Sequence, residues 1–257
     1  MDAPDRLERA LYTGALTALI GGAWLALGVL SRSPYVGLLS HDLGGDAGGW
    51  PLAARVPIFV GGWTVMSVAM MLPSSLPLVT VFRTITRGAP PLLAALVAGY
   101  LLMWSLFGLL ALAGDAVLHE LVEAAGWLAA RTHLVSASLL LTAGLFQFSP
   151  LKHACLKQCR SPIGFVIQHW RGRHRAAQAL TLGVHHGLFC VGCCWALMLL
   201  MFGAGTASVG WMLALGALMF AEKAVAWGRW ITAPAGALLA LWGLALFARV
   251  PGVPAPF

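Results

Sequence analysis

Charge is scarce in this sequence: Asp, Glu, Lys and Arg make up only 10% of 257 residues. Soluble domains carry roughly 25%, so the chain has too little charge to solvate an ordinary protein surface. Long polar segments are missing as well, which leaves no room for a separate catalytic domain. Any chemistry must lie within the apolar segments or at their rims. Cysteine is sparse and confined: Cys155, Cys159, Cys190, Cys193 and Cys194 fall in one stretch. An odd number so placed is not the scattered framework of a secreted disulfide scaffold. No internal repeat and no quinone or haem pattern is visible.

What is there is apolar. Hydrophobic residues are 60% of the chain, and the mean hydropathy is +0.84. The apolar runs approach or exceed the roughly 20 residues needed to cross a bilayer. They predict an all-α membrane protein, a polytopic bundle of about seven transmembrane helices forming one integral membrane domain. The spans fall at about 11–30, 58–81, 91–114, 133–148, 183–202, 208–226 and 234–247. The first run lacks a small-residue cleavage pattern and reads as an anchor, not a signal peptide. A Gly-rich loop (residues 40–50) follows it, and a loop bearing Asp115, Glu120 and Glu123 follows span 3. Ser149-Pro150 reads as a possible extension of the last turn of span 4. The basic segment 150–180 reads as cytoplasmic. Within it, residues 164–180 predict an interfacial helix with Phe165, Val166, Ile167 and Trp170 on one side and His169, Arg171, Arg173 and Arg175 exposed.

The formal net charge is +7. In a chain of this kind it reflects the positive-inside rule and contact with anionic lipid, not nucleic-acid binding. With the N-terminus inside, the inner segments hold twelve Lys and Arg, against four outside: Arg32, Arg55, Arg131 and Arg249. The N-terminus is therefore expected in the cytoplasm.

The densest chemistry is in span 5, Gly183-Val-His-His-Gly-Leu-Phe-Cys-Val-Gly-Cys-Cys-Trp195. At about 100° per residue, His186, Cys190, Cys193 and Cys194 share an arc of about 100°, and Met201 continues the stripe. Such soft thiolate and imidazole ligands suit copper(I), favoured here, or zinc. One buried cysteine is usually a small hydrophobe. Two histidines and three cysteines within ten residues of a span are not explained that way, and His in a membrane has a function by default. Cys190-Val-Gly-Cys193 is also a C-x-x-C, a spacing shared by metal sites and thiol–disulfide enzymes. His185 and His186 could serve haem, but no second axial ligand is evident.

A second cluster, Ser149 to Pro162, carries His153, Cys155 and Cys159 among Lys152, Lys157 and Arg160. Nearby cations raise thiolate content and also repel a metal cation. The two clusters meet only if Cys155 dips inward. Weaker candidates are His185, Met201, Met66 and Met70, with Met71 next to the latter. Pro73 frees a carbonyl that a neighbour or cavity must satisfy. Glu222-Lys223 is an adjacent charge pair near the inner end of span 6. Lys223 can snorkel to the interface, leaving Glu222 to pair with an Arg of the basic segment or to coordinate metal.

The run of motifs WTVMSVAMMLPSSLP, SPLKHACLKQCRSP, GLFCVGCCWALMLLMFGAG and WMLALGALMFAEK resembles a bacterial family of predicted metal-binding integral membrane proteins, a domain of unknown function. The resemblance runs from Trp63 to Lys223. It implies a helical protein of the bacterial cytoplasmic (inner) membrane that binds metal at the Cys-rich segments, with a small soluble protein as a possible partner. A homo-oligomer is also compatible. Three functions remain open. The first is metal handling, by transport, chaperoning or delivery of copper or another soft transition metal. The second is a membrane oxidoreductase, metal-dependent or thiol–disulfide. The third is a structural or assembly subunit of a membrane complex.

Overall fold

The computed structural model describes residues 3–33, 51–126, 131, 133–204 and 208–248. The Gly-rich loop at 40–50 and Arg249 lie outside them. Among the described residues the regular structure is entirely α-helical. In chain order the helices are α1 (Ala3–Leu30), α2 (Leu52–Thr86), α3 (Pro90–Ala124), α4 (His133–Phe146), α5 (Pro150–Cys159), α6 (Pro162–His169), α7 (Arg175–Ala204), α8 (Val209–Ala224) and α9 (Gly228–Phe247).

Five of these, α1, α2, α3, α7 and α9, are long and apolar enough to cross a membrane. A sixth span arises only if α4 and α5, bent by 63° at their junction, count as one. Among the described residues five or six spans are therefore found where about seven are expected. The shortfall lies at α4 and α8, of 14 and 16 residues. At 1.5 Å per residue they measure about 21 and 24 Å, against a hydrocarbon core of about 30 Å.

The long helices extend beyond the apolar runs that mark them. The segment with Asp115, Glu120 and Glu123 is not a loop but the last turns of α3, where His119 sits 3.3 Å from Asp115 one turn away. Helix α2 carries Pro57, Pro73 and Pro77 in its interior. A proline at 73 cannot bond the carbonyl of residue 69. That carbonyl instead accepts the indole N–H of Trp24 from α1, at 3.1 Å. A neighbour does satisfy the freed group, as the sequence requires.

Helices α3 and α7 make the most extensive contact in the bundle. Gly99 and Gly183 permit it. A Cβ at Gly99 would stand 2.1 Å from the Leu180 carbonyl oxygen, and one at Gly183 would stand 2.0 Å from that of Leu96. Small residues of this kind are how membrane helices bring backbones together.

The Ser149-Pro150 step does not extend span 4. The Ser149 hydroxyl accepts the Lys152 N–H at 3.1 Å and caps a new helix with Pro150 in its first turn. Serine at the cap and proline at the first helical position both favour starting a helix there. Helix α5 then enters the bundle, burying Lys152, Cys155 and Leu156. It packs on α7 at Gly192, where a Cβ would lie 2.7 Å from the Cys155 sulfur. The basic segment is thus partly core.

The single interfacial helix expected at 164–180 does not form. Helix α6 ends at His169, and the backbone turns through Gly172 (φ 74) and His174 (φ 42). Helix α7 already begins at Arg175, ahead of the Gly183 start expected for span 5. Phe165 and Val166 are buried with Leu78, Val79 and Phe82. Trp170 meets Phe82 edge-on at 4.8 Å. Ile167, by contrast, is exposed, as are Arg171, Arg173 and Arg175. Bundle contact therefore captures part of the apolar face that the pattern assigned to lipid.

Candidate metal site

Helices α2, α3, α5, α7 and α8 converge on a buried cluster of sulfur and charge. Its centre is the ammonium of Lys223, only 6% exposed. It donates to the Cys190 sulfur at 3.0 Å and lies 3.6 Å from the sulfurs of Cys194 and Met71. An ammonium has three donors, and here sulfur takes all three. Lys223 does not snorkel to the interface in this state.

Around this centre the thiols are held in orientation. Those of Cys193 and Cys194 donate to the Cys190 carbonyl at 3.1 and 2.9 Å. The Tyr100 hydroxyl lies 3.1 Å from the Cys190 sulfur and donates to the Met71 carbonyl at 3.2 Å. Cys159, on the last turn of α5, faces the thiols of Cys190 and Cys193. Cys155 packs over Gly192, alongside Cys193. The two cysteine clusters of the sequence therefore adjoin, because α5 dips inward.

A second charge centre lies beside the first. Lys152 and Glu222 form an ion pair of 2.7 Å with side chains 0% and 2% exposed. Gln147 donates to the other Glu222 oxygen at 3.1 Å, and Lys152 also donates to the Cys193 carbonyl at 3.2 Å. Glu222 does find a partner in the basic segment, but it is a lysine. Arg160 binds the carbonyls of Glu222, Val225 and Ala226 instead, satisfying the open C-terminus of α8. Glu222 and Lys223 are adjacent in sequence and serve different centres.

The remaining candidates are distributed unevenly. His186 is buried, with Nε2 3.2 Å from the Ser75 hydroxyl and its ring stacked on Tyr100 at 5.6 Å. Its Nδ1 has no hydrogen-bond partner, and it lines a cavity of about 10 Å³, room for about one water. His186 is thus linked to the thiols through Tyr100 and does not touch them with a ring nitrogen. His185 is exposed and meets His169 edge-on at 5.3 Å. His153 is exposed. Met66, Met70 and Met201 are core residues.

Pattern reading passed over Met71, Tyr100, Lys152 and Lys223 as site residues. Met71 was visible beside Met70, and the rarity of lysine in an apolar span was a signal for Lys223. Nothing local marks Tyr100.

Copper would be cargo in such a site, a substrate and not a resident cofactor. Two thiols and a thioether are soft donors of the kind that bind copper(I), and also zinc or iron–sulfur clusters, so the residues present are compatible with that ion. Among the described residues no three His, Cys, Asp or Glu side chains are arranged to hold a metal at once. The sulfurs instead surround the lysine, farther from the centre than the about 2.3 Å of a zinc–thiolate bond.

Comparison with curated proteins and with solved structures returned no match. A family model described as PpoB2, copper chaperone, matches residues 60–246. That span runs from α2 into α9 and includes every sulfur and charge of the cluster. The chain belongs to the PpoB2 copper chaperone family.

Proposed function

We propose that this chain binds copper(I) within a membrane bundle and passes it to a recipient, with Cys190, Cys194 and Met71 as the primary donors. The observation that carries the reading is the convergence of these three sulfurs on one buried point. Cys159 and Cys193 adjoin that point and provide the next thiols along a transfer path. Exposed His153, on α5, is a docking ligand at the surface end of that path. His186 acts by orienting Tyr100, while Glu222, engaged by Lys152 and Gln147, is not a ligand. With α4 and α8 taken as crossings, the excess of Lys and Arg favours a cytoplasmic N-terminus and α5–α6 segment, in one integral domain of a bacterial inner membrane. A soluble recipient protein would complete the delivery step.

The test is anaerobic titration of detergent-purified protein with copper(I) against a chromophoric chelator. One tightly held copper per chain is expected, lost in Cys190→Ser and in Cys194→Ser. A double variant that still binds one copper with unchanged affinity would refute the reading.

The approach of Cys159 to Cys190 and Cys193 supports a second reading, a thiol–disulfide carrier. It requires a disulfide between Cys159 and one of these two in mildly oxidised protein. Differential alkylation that finds all five thiols free under those conditions sinks it.

A further inference from the structure

We propose that Lys223 is a tethered placeholder cation, occupying the copper seat when copper is absent and withdrawing to the membrane interface when copper binds. This rests on the copper(I) reading above and adds a conformational step to it.

Three observations carry the proposal. First, the ammonium stands where the soft donors converge, with sulfur at 3.0, 3.6 and 3.6 Å. An ion drawing the same sulfurs to coordination distance would overlap it. Second, among the described residues no carboxylate pairs with the Lys223 ammonium, because Glu222 is committed to Lys152 and Gln147. The sulfurs are what hold it inside. Third, Lys223 lies in the last turn of α8, four and seven residues before exposed Trp227 and Trp230, with Arg229 over the Trp230 ring at 5.2 Å. Tryptophan and arginine at a helix end mark the interface level. A lysine there has a long stem with which to place its charge in the headgroup region.

Two monovalent cations then alternate at one seat. When copper(I) enters, copper–sulfur bonds replace the N–H···S contacts. The ammonium carries its three protons outward, and any thiol protons displaced by the metal pass to solvent. No electron changes hands. The lysine therefore competes with the cargo, which lowers affinity and helps release it to a recipient.

Amine acylation of the full chain in detergent, with and without one equivalent of copper(I), tests this by peptide mass spectrometry. The chain has three lysines, Lys152, Lys157 and Lys223, so two serve as internal references. Lys157 is exposed and is labelled in both states; Lys152 is fully buried in its ion pair and protected in both. Lys223 is expected to match Lys152 without copper and to approach Lys157 with it. Bound copper with Lys223 still as protected as Lys152 overturns the placeholder and leaves the copper reading intact. A wild-type chain that binds no copper overturns both. Lys223→Gln supplies a second measure. Losing a charge-assisted competitor should tighten copper(I) binding by about 10- to 100-fold, and weaker binding would instead make the lysine a counter-ion to the copper-binding thiolates and overturn the placeholder.

Discussion

Removing one member of the Lys152–Glu222 pair should destabilise the protein far more than removing both. The pair is 2.7 Å long and its side chains are 0% and 2% exposed. Lys152→Met leaves the Glu222 carboxylate with Gln147 alone; Glu222→Leu leaves the Lys152 ammonium with only the Cys193 carbonyl. Each single change strands a buried charge, which costs about 3–5 kcal/mol. At roughly 2–4 °C per kcal/mol for a chain of this size, each should lower Tm by about 6–20 °C. Lys152→Met combined with Glu222→Leu removes both charges, and such replacements are often neutral or stabilising. The double variant should therefore recover most of the loss. Thermal unfolding in detergent, run at one fixed scan rate so that any irreversible step weighs equally on every variant, provides the four corners of the cycle. If the two single losses simply add in the double variant, the ion pair is not coupled as the structure has it. If neither single change moves Tm by more than a degree or two, the charges are solvated and the buried reading is refuted.

Other perturbations give separate checks. Gly183→Ala places a Cβ against the Leu96 backbone, and overpacking of this kind costs about 1–3 kcal/mol; an unchanged Tm would contradict the close α3–α7 contact. Tyr100→Phe deletes the hydroxyl beside the Cys190 sulfur and the Met71 carbonyl. It should cost about 1 kcal/mol yet leave one copper per chain, as read by elemental analysis. Copper(I) at 100 times its Kd should stabilise the folded chain by about 2.7 kcal/mol, raising Tm by about 5–11 °C. A chelator should reverse the shift, and no shift at all would argue against binding to the folded state.

Much of the architecture was legible in the sequence. Apolar run length is a local quantity, and it located every long helix among the described residues. Helix ends were less legible. Asp115 to Glu123 continue α3 although they are polar, since a helix keeps its backbone bonds beyond the apolar stretch. Ser149-Pro150 held a start signal that reads equally as an end, and the 63° bend decides which. The number of spans was less legible for a related reason. Short apolar helices such as α4 and α8 hold their place by packing on neighbours, which run length alone does not report.

The sequence by itself determined that the chain is helical and apolar, and that its cysteines gather on one helix and the segment before it. Helical periodicity also put Cys190 and Cys194 on one arc of α7. Only the tertiary structure decided what faces that arc. A stripe of thiols does not reveal that Met71, Tyr100 and Lys223 meet it from α2, α3 and α8. The direction of Lys223 was undetermined for a physical reason. At a helix end a lysine can reach the interface or turn inward, and the choice depends on partners distant in sequence. Here the inward partners are three sulfur atoms, so Lys223 turns into the bundle and away from the interface.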